Sequence, residues 1–371
     1  MNKIKYAIYH GDSETGGVYN VLASFLRGIL KGFQEADLCA YTYQECIEKN
    51  IDFDVALGFN VAGIENWGKV LKSGKINVLW NVDSIFGQNF NVFNKCSKFD
   101  NFLLLNVSTS DFLPANNYLP NLKHCFMPHA TDKDLWKQKD LEKEHDLVLF
   151  SSLRDYETML EQYKNNKFLF GLINEMVEIM LKQPNLTFWE VFVMIKNSCQ
   201  INLNLNDYAK LSHIVCFIVE QKQKIKLIQS LANSNVKVFG NELWKKHIKG
   251  KVQYMGATDF NQSIDIMNKA KISLNCQISA LNYGFHERFL NAASVATFNL
   301  VSATPFIQQE FGDSFGYFNH STFEDVEQKA QYYLLNDDER IEKAKNAQKI
   351  VHEKHLWKNR ALAINELFTQ V

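Results

Sequence analysis

The chain alternates short, nearly continuous apolar runs with longer segments whose apolar residues recur at helical spacing. In its first third the runs fall at Tyr6–Tyr9, Asp37–Tyr41, Asp54–Gly58, Ile76–Asn81, Phe102–Val107 and Lys123–Met127. Apolar positions 18, 21, 22, 25, 26, 29 and 30 predict a helix over Val18–Gly32. Strands apolar on both faces, separated by helices, predict a parallel sheet covered on both sides. The polar stretch Lys133–Asp146 reads as a linker. A new strand follows at Asp146–Phe150, and from Tyr156 to about Asn233 the pattern is helical, broken only at Gln183–Asn185 and Gln200–Asn206. This insert reads as a cap or scaffold and a poor place for chemistry. Alternation returns with strands at Val236–Gly240, Val252–Met255, Ile272–Cys276, Thr297–Val301 and Gly316–Phe318. Two charged amphipathic helices, Asp338–Lys354 and Asn359–Phe368, close the chain, with a break near Trp357.

The predicted fold class is therefore α/β, with two Rossmann-like, doubly wound domains. The first spans 1–135 and the second 146–357, with the helical insert at 156–233 and helix 358–371 packing back on the first domain. A length of 371 residues agrees with two domains rather than one. The formal net charge of −1 disfavours a general nucleic-acid binder. No apolar run approaches a membrane span, and KYAIYH is too short for a signal-peptide core, so a soluble, cytoplasmic protein is expected. Seven scattered cysteines without a CxxC read as reduced thiols and predict no structural zinc. His352 and His355 share a helix face, but no HExxH motif accompanies them, which favours a capping or solvated role.

Candidate chemistry concentrates at Ile272–Asn291. There a short strand ending in Asn275 runs into a polar loop, Asn282–Tyr283–Gly284, and then a helix opened by His286, Glu287 and Arg288. A strand feeding a cationic helix start is an anion site, because unpaired N–H groups and the helix dipole both favour negative charge. The economical ligand carries phosphate, as a nucleotide or nucleotide-sugar does. A buried His286–Glu287–Arg288 cluster that merely pins the helix fits the residues equally well. The loop His10–Gly17 is polar and Gly-paired but is neither GxGxxG nor a P-loop, and for any one residue in it a plain strand–helix turn is the favoured reading. His129, in Pro128–Asp132, divides evenly between a structural role and a cleft role.

Two doubly wound domains with a ligand loop in each resemble the GT-B glycosyltransferases. The ordered stretches VKVFG, VQYMGAT, IMNKAKISLNCQ, GFHERFLNAAS and LLNDDERIEKAKNAQKIVHEKHLW resemble the spore-maturation-protein (CgeB)-like, group 1 type. The match is clear over about 236–357 and weaker over 123–155 and at Gly16–Gly17. The resemblance implies metal-independent transfer of a sugar from a nucleotide-sugar to an acceptor hydroxyl on a glycan, protein or other molecule, with no cofactor. It implies donor contacts from Gly16, Gly17, Ser152, Arg154, Asn275, Tyr283, Gly284, His286, Glu287, Arg288 and Asn291, and a base among Asp12, Asp83 and His129. The family's glutamate pair, eight positions apart, is incomplete, since Glu287 is followed by Val295. A sugar-nucleotide epimerase of the same fold and a non-catalytic sugar-nucleotide or glycan binder are the alternatives.

Overall fold

A computed structural model of the protein describes residues 3–9, 21–59, 74–87, 90–135, 141–199 and 201–369. The loop carrying Asp12, Gly16 and Gly17 lies outside the described residues. Two six-stranded, all-parallel sheets organise the chain. The first comprises β1 (Lys5–Ile8), β2 (Cys39–Thr42), β3 (Val55–Phe59), β4 (Ile76–Asn81), β5 (Phe102–Asn106) and β6 (His124–Phe126), in the order β2-β1-β3-β4-β5-β6. The second comprises β7 (His145–Phe150), β8 (Val236–Phe239), β9 (Gln253–Gly256), β10 (Ala270–Asn275), β11 (Phe298–Ser302) and β12 (Gly316–Phe318), in the order β12-β11-β10-β7-β8-β9. Each strand lies at an apolar run of the sequence, because a strand sandwiched between helix layers excludes water from both its faces. The start of β2 is displaced to Cys39 because Asp37, at φ 54°, makes the turn out of the preceding helix. Strand order reverses between β1 and β3 and between β7 and β10. Doubly wound sheets leave a crevice outside the carboxyl ends of their strands at such points.

Four helices, Tyr156–Glu161, Lys167–Lys182, Phe188–Cys199 and Leu205–Gln229, are inserted between β7 and β8. Their apolar residues do not form a separate core. Leu172, Ile173, Met176, Val191, Phe192 and Tyr208 join Leu79, Ile85, Phe86, Phe93, Phe102 and Leu104 of the first sheet and its helices in one buried cluster. Tyr208 stands at the junction, its ring 5.0 Å from Phe86 and 4.7 Å from Tyr118. At about 1.5–3 kcal/mol per fully buried large side chain, this contact welds the insert to the first domain.

The chain returns to the first domain at its end. The helix Trp357–Thr369 packs on Val21–Glu35, where Gly28 and Gly32 leave room for the Trp357 indole and backbone. A Cβ at Gly28 would lie 2.3 Å from Trp357 Nε1. Arg360 fixes the crossing by donating to the carbonyls of Pro128 (2.8 Å), His129 (2.9 Å) and Lys354 (2.9 Å). Its buried guanidinium also contacts His355 Nδ1 at 2.7 Å, and His355 Nε2 meets Glu310 at 2.9 Å. His352 meets Ser294 Oγ at 3.1 Å. The two histidines are thus engaged in separate hydrogen-bonded contacts, and His355 is buried rather than solvated.

Candidate active site

The carboxyl end of β7 sets the site. Phe150 O accepts from Arg288 Nη1, and beyond it the chain turns outward through Ser151–Asp155. The Arg154 N–H donates to Gln221 Oε1 (3.0 Å), and Lys224 Nζ donates to Ser152 O (3.3 Å). Both partners come from the helix Leu205–Gln229 of the insert. Lys224 also pairs with Glu220 at 2.5 Å. Burial disfavours the Glu220 carboxylate, yet Lys224, Arg288 and Arg154 together hold its pKa below the ordinary value. The Arg154 guanidinium lies 5.8 Å from the centre of the Phe217 ring, so an apolar wall orients an exposed cation. Arg154, Lys224 and Arg288 thereby surround one space.

On the opposite wall stands the first domain. The segment after β4 is held by Asn81 Nδ2, which donates to Asp83 O (2.6 Å). It is held also by Asp111, whose Oδ2 accepts from Ser84 Oγ (2.6 Å) and from the Ile85 N–H (2.7 Å). Burial pushes the Asp111 carboxyl up to about 6 in spite of these bonds. Asp83 itself is exposed to the space and raises the pKa of His286 through its charge.

His286 occupies the position before the helix Glu287–Ser294 in an extended conformation (φ −88°, ψ 152°). Its Nδ1 lies against a Glu287 carboxylate oxygen, and also 3.5 Å from the Arg288 backbone nitrogen and 3.3 Å from Arg288 Nε. One nitrogen cannot both donate and accept. The carboxylate contact is the closest and is charge-assisted, so it holds the proton on Nδ1 and leaves Nε2 with the lone pair. Burial lowers the His286 pKa more than Glu287 raises it, and the ring is neutral near pH 7. Burial works against ionised Glu287, but His286, Arg288 and His129 bring its carboxyl down to about 2.

These walls enclose a cavity of about 330 Å³, lined by Asp83, Ser84, Ser152, Arg154, His286 and Arg288 together with one face of the insert's last helix. Of the residues expected from the sequence, five meet there: Asp83, Ser152, Arg154, His286 and Arg288. Glu287 stands behind them. Asn275 does not reach the cavity; buried in the sheet, it donates to Asn299 Oδ1 (2.9 Å) and Ser273 Oγ (3.2 Å). Gly284 and Tyr283 form the floor between the domains. Gly284 bridges Ser108, the Thr109 N–H donates to Tyr283 O (3.2 Å), and a Cβ at Gly284 would stand 2.2 Å from Val107 O. Asn291 accepts from Thr131 Oγ1 (2.7 Å) and lines a separate cavity beside Trp357. His129 is buried, with neither ring nitrogen hydrogen-bonded among the described residues, and burial drives its pKa to about 3.

The sequence reading passed over Glu220, Gln221 and Lys224. Their signal was present, since Glu220–Lys224 is a polar run, EQKQK, directly after the apolar stretch Ile214–Val219 of the same helix. Gln221, Gln223 and Lys224 are all buried. The insert is therefore not remote from the site: it supplies a wall and a cation.

Residues 222–366 match the family model described as glycosyl transferase-like, and the paired sheets with a cleft at their carboxyl edges recur across the full length of solved glycosyltransferases. The chain has the GT-B fold, and its residues 222–366 are similar to the glycosyl transferase-like family. A sucrose-phosphate synthase from Thermosynechococcus elongatus superposes with a TM-score of 0.58 at 10% identity, covering 99% of both chains. Anabaena HepE, solved with UDP and glucose, superposes with a TM-score of 0.56 at 9% identity over 99% of this chain and 100% of that chain. A trehalose-6-phosphate synthase, OtsA, gives 0.55 at 10% identity over 99% of both. No curated protein matches this chain in sequence. Among the described residues no helix is long and apolar enough to cross a membrane, and no three His, Cys, Asp or Glu side chains converge as a metal site.

Proposed function

We propose that this protein is a glycosyltransferase that moves a sugar from a nucleoside-diphosphate sugar, held in the 330 Å³ cavity, to an acceptor hydroxyl. The observation that carries this reading is the convergence of Arg154, Lys224 and Arg288 on the opening of the helix Glu287–Ser294, at the carboxyl end of β7. As the bond from the anomeric carbon to the diphosphate breaks, its electron pair passes to the diphosphate. Three cations and the first N–H groups of a helix are placed to receive that charge. Arginine suits this because its planar fork grips two phosphate oxygens. The complexes of HepE with UDP and with UDP-glucose support a uridine donor.

The acceptor oxygen forms the new bond to the anomeric carbon and loses its proton. Asp83 is the proton acceptor we assign, being the carboxylate that the first domain presents to the cavity among the described residues. His129 is ill suited, since a ring with a pKa near 3 is a weak base and does not line the cavity. His286, oriented by Glu287, offers Nε2 to a hydroxyl of the donor sugar. With three protein cations at the leaving group, transfer needs no divalent metal.

The test is incubation with UDP-, GDP-, ADP- and dTDP-sugars, with and without hydroxyl acceptors, monitoring nucleotide release by liquid chromatography. Acceptor-dependent release is expected. Isomerised donor without acceptor would mark an epimerase, and binding without turnover a non-catalytic protein; either overturns the proposal.

A further inference from the structure

Asp111 precedes the helix Phe112–Tyr118 at the position where an aspartate ordinarily caps a helix, yet its side chain makes no cap bond. The carboxylate turns instead to the segment after β4. Its Oδ2 accepts from Ser84 Oγ (2.6 Å) and from the Ile85 N–H (2.7 Å), and Ser84 Oγ in turn accepts from the Phe86 N–H (3.2 Å). The other flank of Asp83 is gripped through Asn81 Nδ2, which donates to Asp83 O (2.6 Å) and to Asn106 Oδ1 (2.7 Å). Asn106 Nδ2 donates onward to Ser108 O (2.8 Å). Asn81, Asn106, Ser108, Ser110 and Asp111 are all buried. Residues 108–111 also hold the second domain. The Thr109 N–H donates to Tyr283 O (3.2 Å), the Tyr283 N–H donates to Ser110 Oγ (3.2 Å), and Gly284 bridges Ser108. His286 stands two residues beyond Gly284. One short stretch after β5 thus grips the strip carrying Asp83 on one wall of the cavity and the loop leading to His286 on the other.

We propose that Asp111 is a positioning residue for sugar transfer: it fixes the strip that carries Asp83, while the rest of 108–111 ties that wall to the His286 loop. This rests on the assignment of Asp83 as the proton acceptor. A base must stand within hydrogen-bond reach of the acceptor hydroxyl, and a misplacement of about 1 Å costs about a hundredfold in rate. Asp83 belongs to no helix or strand, so these side-chain bonds do the work that a backbone ladder does elsewhere. Stability does not account for Asp111. Burial raises its carboxyl to about 6, above the ordinary 3.8, although the Ser84 hydroxyl and the Ile85 and Phe86 N–H groups favour the ionised form. The titratable groups facing it, Tyr208 and Cys216 of the helix Leu205–Gln229, are neutral near pH 7, and no cation among the described residues offsets its charge. A carboxyl whose folded pKa exceeds its unfolded value weakens the fold as pH rises through that interval, and the deficit persists at neutral pH. Ionised Asp111 therefore costs stability; what it supplies is an acceptor that holds the strip beside Asp83.

The test measures initial rates from pH 5 to 9 with the donor and acceptor found by the nucleotide-release screen. Calorimetry with UDP, GDP, ADP or dTDP, whichever matches the donor, and thermal melting accompany it. Asp111→Ala is expected to lower kcat about ten- to a hundredfold, while KM for the donor and nucleotide affinity stay within about twofold of wild type. Asp111→Asn keeps an acceptor oxygen and sheds the charge. It is expected to restore kcat at pH 7.5 to within about threefold and to melt no lower than wild type at that pH. It should also lack the fall in kcat that wild type shows below about pH 6. Wild-type kcat in Asp111→Ala would overturn the proposal, as would a loss of nucleotide affinity that matches the loss of kcat. An Asp111→Asn variant that melts well below wild type, or keeps the wild-type acid fall, would overturn it too, and decides the matter if the alanine variant does not fold. Asp83→Asn separates this inference from the reading beneath it. That variant is expected to lose about a hundredfold or more in kcat, and a wild-type rate would remove Asp83 as the base and this role with it. A slow Asp83→Asn beside a fast Asp111→Ala would sink the positioning role alone. Failure of wild type to release nucleotide from any donor would end both.

Discussion

Replacing Glu287 by Gln isolates a charge while keeping the shape of the site. A glutamine oxygen can still accept from His286 Nδ1–H, so the change removes the negative charge and little else. The carboxyl is held at about 2 against an ordinary 4.5, because His286, Arg288 and His129 outweigh the effect of its burial. At 1.36 kcal/mol per pH unit, that difference corresponds to about 3 kcal/mol of folding stability. A carboxyl with a depressed pKa gives its full contribution above the unfolded value of 4.5 and loses it as pH falls toward 2. Wild type should therefore exceed Glu287→Gln by up to about 3 kcal/mol at pH 7, where both histidines are neutral and Arg288 alone lends its charge, and the gap should close between pH 4.5 and 2. Urea unfolding of both proteins at pH 7, 5, 4 and 3, followed by circular dichroism, measures the gap. The reasoning fails if the variant matches wild type at pH 7, or if the gap at pH 3 equals that at pH 7.

Three further outcomes are expected. Arg288→Ala should lower nucleoside-diphosphate affinity by about 30- to 1000-fold, the equivalent of about 2–4 kcal/mol, while far-UV dichroism stays native; calorimetric affinity equal to wild type would remove Arg288 from the donor site. Sugar transfer should persist in EDTA, and activity lost to the chelator but restored by Mg²⁺ or Mn²⁺ would show that the three cations do not suffice. Gly284→Ala should destabilise the protein by about 1–3 kcal/mol, because its methyl group meets the Val107 carbonyl at 2.2 Å and must push the domains apart; unchanged melting would mean that the floor of the cleft yields easily.

The architecture was legible because a buried parallel strand announces itself locally. VALGF of β3 and FNLVS of β11 are buried at every position, and such runs need no knowledge of their neighbours. The site was legible only in part. His286 and Arg288 open a helix directly after a strand, a local arrangement the chain order displays. Asn275 shares that local setting, yet it faces Asn299 inside the sheet, and nothing within a few residues tells the two cases apart. Lys224 and Gln221 reach the site across sequence separations of 72 and 67 residues, so their role depends on where a long helix crosses a sheet edge. That crossing is a tertiary fact. The buried EQKQK run signals only that some polar partner exists.

Modular exchange between transferases, in which a donor half is recombined with a new acceptor half, faces a specific obstacle in this chain. Cutting near residue 145 would strip Phe86, Phe93 and Phe102 of the helices that cover them and leave Leu172, Met176 and Phe192 bare on the other fragment. Neither fragment would be a self-sufficient folding unit. A functional chimera would have to carry the four inserted helices across with the amino-terminal half, grafting them by two junctions rather than one.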